Sequence, residues 1–70
     1  MIITINGKET QLPENAARTI DSLLTELEVA QPLYVTVELN GDIAERSDFA
    51  TTPVAEGDLI EFLYFMGGGR

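Results

Sequence analysis

Two Asn-Gly pairs, Asn6-Gly7 and Asn40-Gly41, constrain this chain more than any other feature. Asparagine and glycine both tolerate the positive φ of a type I′ turn, the turn whose twist matches a two-residue hairpin. Each pair follows a run with the period of a strand. Met1, Ile3 and Ile5 alternate with Ile2 and Thr4, and Lys8 to Leu12 reads as the return strand, ended by Pro13. Val35, Val37 and Leu39 alternate with Thr36 and Glu38, and Asp42 to Glu45 is a short partner. A chain with these two hairpins must build a sheet.

The segment between the hairpins has a different period. After a loop at Glu14 to Arg18, Thr19 is placed to cap a helix, with Asp21 in the favoured first turn. Ile20, Leu23, Leu24 and Leu27 fall at i, i+3, i+4 and i+7, one apolar stripe on one helical face. Pro32 forbids continuation, so the helix is expected from about Ile20 to Glu28. Ser47-Asp48-Phe49 suggests one helical turn capped by Ser47, with Phe49 tucked inward. Thr51 to Val54 reads as irregular and Glu56-Gly57-Asp58 as a tight turn. Leu59 to Phe65 is the last strand. The order β-β-α-β-β-β predicts an α+β domain, a mixed sheet with one helix packed across a face.

Seventy residues hold one hydrophobic core, and residues 1–66 are assigned to it, leaving 67–70 as a glycine-rich tail. The sequence has no cysteine and no histidine. A disulfide framework, a zinc site and any Cys/His catalysis are therefore excluded. The net charge of −8 argues against nucleic acid and favours steering towards a basic protein surface. The dozen carboxylates include no convincing acid/base pair. Glu56 and Asp58 flank a turn glycine and read as solvated, too few and too widely spaced for a metal loop. Arg46 reads as a surface arginine near a short turn, with a role in binding a partner as the alternative. The N-terminus has no basic leader, and the longest apolar stretch, Phe62 to Met66, is far too short to span a membrane. A cytoplasmic protein is expected.

The last strand carries an oddity. If Glu61 faces solvent, Ile60, Phe62 and Tyr64 point inward, and Leu59, Leu63 and Phe65 share the outer face with Glu61. Large apolar side chains there form an exposed patch of the kind that marks partner surfaces. A strand covered on both faces, or an inverted register, would remove the patch. The strand empties into Met66-Gly67-Gly68-Gly69-Arg70. Without Cβ atoms the glycines make a slim tail, able to thread a narrow channel in another protein.

Five segments together resemble the ubiquitin-like β-grasp sulfur carriers, above all the thiamine-pathway ThiS family. They are Ile2-Ile3-Thr4-Ile5-Asn6-Gly7-Lys8, Thr19-Ile20-Asp21-Ser22-Leu23-Leu24, Val35-Thr36-Val37-Glu38-Leu39-Asn40-Gly41, Glu45-Arg46-Ser47-Asp48-Phe49, and Glu56-Gly57-Asp58-Leu59-Ile60-Glu61-Phe62 with the glycines after it. The resemblance implies a protein co-substrate rather than an enzyme. Its terminal glycine carboxylate would be adenylated by a ThiF/MoeB-like partner using ATP and magnesium, with no cofactor bound by the carrier itself. The adenylate would become a thiocarboxylate that gives sulfur to an acceptor, thiazole synthase in the thiamine pathway. On this sequence the reactive residue would be Gly69 with Gly68 before it. Leu59, Leu63, Phe65, Met66 and Gly67 would dock on the partner. Arg70 departs from the family's Gly-Gly ending. A peptidase removing it, a family variant tolerating it, and a chain that kept the fold without the chemistry are the three readings. A molybdopterin-synthase small subunit is a sister reading, and a ubiquitin-like interaction module without tail chemistry is the alternative.

Overall fold

The computed structural model describes residues 1–14 and 17–64. Strands β1 (Ile2–Ile5) and β2 (Lys8–Gln11) form the first hairpin, followed by a short strand β3 (Arg18–Thr19) and helix α1 (Ile20–Glu26). Strands β4 (Val35–Leu39) and β5 (Asp42–Ala44) form the second hairpin. A 3-10 turn at Arg46–Asp48, strand β6 (Pro53–Val54) and strand β7 (Leu59–Tyr64) complete the order. The main sheet has five strands in the order β2-β1-β7-β4-β5, and β3 pairs with β6 in a separate two-stranded ribbon. The last strand thus lies in the centre, parallel to β1 and antiparallel to β4.

Both Asn-Gly pairs make the turns their chemistry predicts. Ile5 pairs with Lys8 and Leu39 with Asp42, so each loop is two residues long. All four loop residues have positive φ, 50° and 81° in the first turn and 53° and 91° in the second. The helix begins where expected. The Thr19 side chain accepts from the Ser22 backbone N–H while the Ser22 hydroxyl accepts from the Thr19 N–H at 2.9 Å, a reciprocal capping box. Its end lies two residues before the expected one. Glu28 turns left-handed at φ 54°, its N–H donates to Thr25 O, and the Val29 N–H donates to Leu24 O at 3.0 Å. That pair of bonds is a Schellman ending, so the helix closes on its own carbonyls well before Pro32 could stop it.

Ile20, Leu23 and Leu24 from the helix meet Ile3, Val35, Val37 and Ile60 from the inner sheet face, with Leu12, Phe49 and Val54 sealing the margins. Four expectations need correction. The segments read as a loop at Arg18 and as irregular at Pro53–Val54 pair as β3 and β6, a ribbon too short to show a period. The 3-10 turn starts one residue earlier than expected, with Glu45 as its N-cap and no side-chain capping bond, so Ser47 is not its cap. Phe49 is nonetheless buried. Tyr64 lies on the inner face by register, opposite Val35, but is 45% exposed. Its hydroxyl donates to Ala30 O at 2.7 Å. Glu56 and Asp58 are not merely solvated: Glu56 accepts from the Ile2 N–H, and Asp58 from the Ala55 N–H at 2.8 Å.

Candidate functional site

The outer face of β7 and the end from which the tail departs form the candidate site. Register fixes what surrounds it. Glu61 lies opposite Glu38 and Leu63 opposite Thr36 on β4, Glu38 lies opposite Ile43 on β5, and Leu59 lies beside Thr4 on β1. One face therefore carries Ile2, Leu59, Leu63 and Ile43 among Glu9, Glu38 and Glu61, since residues paired across a sheet share a face. Leu59 is 57% exposed and Ile43 63%, whereas Leu63 is half-buried. The alternative of an inverted register does not occur: Ile60 is 1% exposed and points into the core, as the main reading expected. Sequence reasoning placed Leu59 and Leu63 on this face and missed Ile2 and Ile43. The signal was available, because both occupy the outward phase of strands whose alternate residues are needed for the core. Phe65, Met66, Gly67, Gly68, Gly69 and Arg70 lie outside the described residues.

Strand β7 is held by both hairpin turns. Asn6 Oδ1 accepts from the Phe62 N–H at 2.8 Å, and the Asn6 N–H donates to Ile60 O at 2.9 Å. On the other side Asn40 Oδ1 accepts from the Leu59 N–H at 2.9 Å, while Asn40 Nδ2 donates to Asp58 Oδ1 at 3.1 Å. The turn asparagines thus serve twice, through the backbone conformation they tolerate and through side chains that fix the start of the final strand. The first role is local and legible. The second depends on which strand lies alongside.

Two arginines brace the platform. Arg18, with its side chain buried, forms a two-pronged pair with Glu26, Nε to Oε1 at 2.6 Å and Nη2 to Oε2 at 2.9 Å. The Arg18 hydrogen bond holds the Glu26 carboxyl below the usual carboxylate range. Arg46 is a surface residue, as expected, but not an idle one. It donates to Pro32 O at 2.9 Å and Val35 O at 2.6 Å, and its guanidinium lies 5.1 Å from the centre of the Phe49 ring. These contacts tie the loop after the helix to the root of β4, beside the end of β7.

A single helix across a mixed five-stranded sheet, with the last strand central and parallel to the first, is the ubiquitin-like β-grasp arrangement. The sequence profile described as the ThiS family matches residues 2–69, and the chain belongs to that family. Its structure is similar to the crystal structure of a thiamine biosynthesis protein (ThiS) from Geobacter metallireducens. The two are 51% identical with a TM-score of 0.91, covering 99% of this chain and all of that one. A solution structure of a thiamine biosynthesis protein from the same organism is 50% identical with a TM-score of 0.80, over the whole of this chain and 90% of the other. A thiazole synthase of Paramagnetospirillum magneticum is 39% identical over 69 residues. These are 99% of this chain but only 20% of the length of that relative. Among the described residues no helix is long and apolar enough to cross a membrane.

Proposed function

We propose that this protein is a sulfur carrier of thiamine biosynthesis, a co-substrate of other enzymes rather than a catalyst. The observation that carries this reading is the family match over residues 2–69, with 51% identity to a ThiS structure over nearly the whole chain. The chemistry resides in the terminal carboxylate. A carboxylate is a poor electrophile, so a ThiF/MoeB-like enzyme activates it first. One carboxylate oxygen attacks the α-phosphorus of ATP, the bond to the β-phosphate breaks, and pyrophosphate leaves with its magnesium. A sulfide-level donor then attacks the acyl carbon and expels AMP, leaving a thiocarboxylate. The relative named thiazole synthase carries a segment like this chain within one polypeptide, which supports thiazole synthase as the sulfur acceptor.

Gly69 is the residue to be activated, with Gly68 beside it, after a peptidase removes Arg70. The outer face of β7 docks the partner through Leu59 and Leu63, continued by Phe65, Met66 and Gly67. Its acidic rim of Glu9, Glu38 and Glu61 suits a basic partner. The work is done in the cytoplasm, where the partner enzymes draw on ATP.

The test is intact mass after incubation with the adenylating enzyme, magnesium-ATP and a sulfide donor, on chains ending at Gly69 and at Arg70. The Gly69 chain is expected to gain the mass difference of one oxygen replaced by sulfur, and the Arg70 chain to stay unchanged. An unmodified Gly69 chain rejects the carrier reading. A modified Arg70 chain rejects trimming alone.

A further inference from the structure

Among the described residues, strand β7 has one edge that its own sheet leaves open. Its register with β1 covers only Leu59 and Ile60, because β1 turns away at Asn6. Main-chain groups alternate sides along a strand, so those of Ile60, Phe62 and Tyr64 point towards β1 and those of Leu59, Glu61 and Leu63 towards β4. The observed bonds agree: Ile60 O accepts from the Asn6 N–H, and the Phe62 N–H donates to the Asn6 side chain, whereas Leu59 O accepts from the Asn40 N–H. Beyond the Asn6 side chain, the next groups on that side are Phe62 C=O and Tyr64 N–H. Among the described residues nothing pairs with them, and Tyr64 is exposed. Asn6 ends the pairing cleanly by occupying the last donor in line with β1. The exposed edge thus begins at a defined atom.

We propose that Phe62 C=O and Tyr64 N–H form a strand-addition site, where a short extended segment of the adenylating enzyme continues the line of β1 and pairs with β7 just before the tail. This deepens the carrier reading and rests on it. Adding a strand gives main-chain hydrogen bonds whose strength does not depend on partner side chains, and it fixes the direction of whatever follows. A glycine tail loses much freedom when threaded, so a strand clamped at its root begins the threading in the right direction. A second copy of this chain is the competing occupant of any open edge. Each copy carries a net charge of −8, so self-pairing brings like charges together, and a basic segment is favoured over it. The same sign follows from Glu61 on β7 itself, with Glu38 opposite it on β4, the strand on the other side of β7 from the edge.

Amide hydrogen exchange of the Gly69-terminated chain, alone and saturated with the adenylating enzyme, tests this without a variant. The Tyr64 amide is expected to slow by about tenfold or more in the complex, the scale of one added hydrogen bond. A complex that makes thiocarboxylate while the Tyr64 amide exchanges as in the free chain overturns the strand-addition site and leaves the carrier reading standing. Protection that rises with chain concentration in the absence of enzyme also overturns it, in favour of self-pairing. As a second arm, Tyr64→Pro removes the N–H on the open side, a position where a strand tolerates proline. It is expected to weaken enzyme binding about tenfold. Tyr64→Phe, which removes only the hydroxyl bonded to Ala30, should leave binding unchanged. Equal binding by both variants overturns the proposal.

Discussion

Leu59 and Ile60 are neighbours in sequence, nearly the same in size and apolarity, and opposite in what they do. Ile60 is 1% exposed, wedged between sheet and helix, while Leu59 is 57% exposed on the uncovered face. The same contrast separates the two sides of the whole sheet. The inner face is covered by α1 and contains the core. The outer face mixes large apolar side chains with opposed carboxylates, a combination that does nothing for an isolated domain. On this face Leu59 and Ile43 stand in water and Glu38 faces Glu61.

The largest effect should come from the inner face. Ile60→Ala is expected to cost about 2–5 kcal/mol by urea unfolding, whereas Leu59→Ala should stay within about 0.5 kcal/mol. Equal costs would break the comparison, since they would mean that both faces are packed. The covered layer also has an acid limit of its own. The Glu26 carboxyl is held below its ordinary range by its hydrogen bond to Arg18, so the pair stabilises the fold above the unfolded-state value near about 4.3. That contribution fades as the pH falls through the lower folded-state value. Unfolding midpoints followed from neutral pH to pH 2 should show a shallower acid decline in Glu26→Gln than in the parent. An identical slope would show the pair to be inert.

On the outer face, function and stability should separate. Leu59→Glu is expected to leave the thermal midpoint nearly unchanged and to lower kcat/KM for adenylation about tenfold, the loss of roughly 1.4 kcal/mol of docking. Unchanged adenylation would remove Leu59 from the docking face. The smallest effect is a gain. Glu38→Lys replaces a cross-strand repulsion with an attraction to Glu61 and should stabilise by about 0.2–1 kcal/mol, shrinking as salt is added. The same change should weaken binding to a basic partner. Improved stability with unimpaired binding would mean that the acidic pair has no part in docking.

Much of this was legible because it is local. A two-residue Asn-Gly loop needs two positive φ values, and those residues supply them wherever they stand. The 3.6-residue spacing of Ile20, Leu23 and Leu24, and the Thr19 cap, are equally short-range. Glu28 was harder, because a left-handed helix ending is usually marked by glycine and here is made by glutamate. The two-residue strands β3 and β6 were hidden because so short a ribbon has no period to detect. On the candidate site, the outward phase of Leu59 and Leu63 followed from Glu61, but the company of Ile2 and Ile43 required the register between strands.

The sequence by itself determined the turns, the helix face and the residues needed for the core, since φ preference and periodicity act over a few residues. It also carried a family pattern as far as Gly69. Only the tertiary structure decided that the last strand is central, that Asn6 and Asn40 grip it from opposite sides, and that Arg18 finds Glu26. Among the described residues, it alone left the edge of β7 open at Phe62 and Tyr64. Those outcomes depend on which segments, distant in sequence, come to lie side by side, and the hydrogen-bonding groups of a strand carry no mark of the neighbour that will satisfy them.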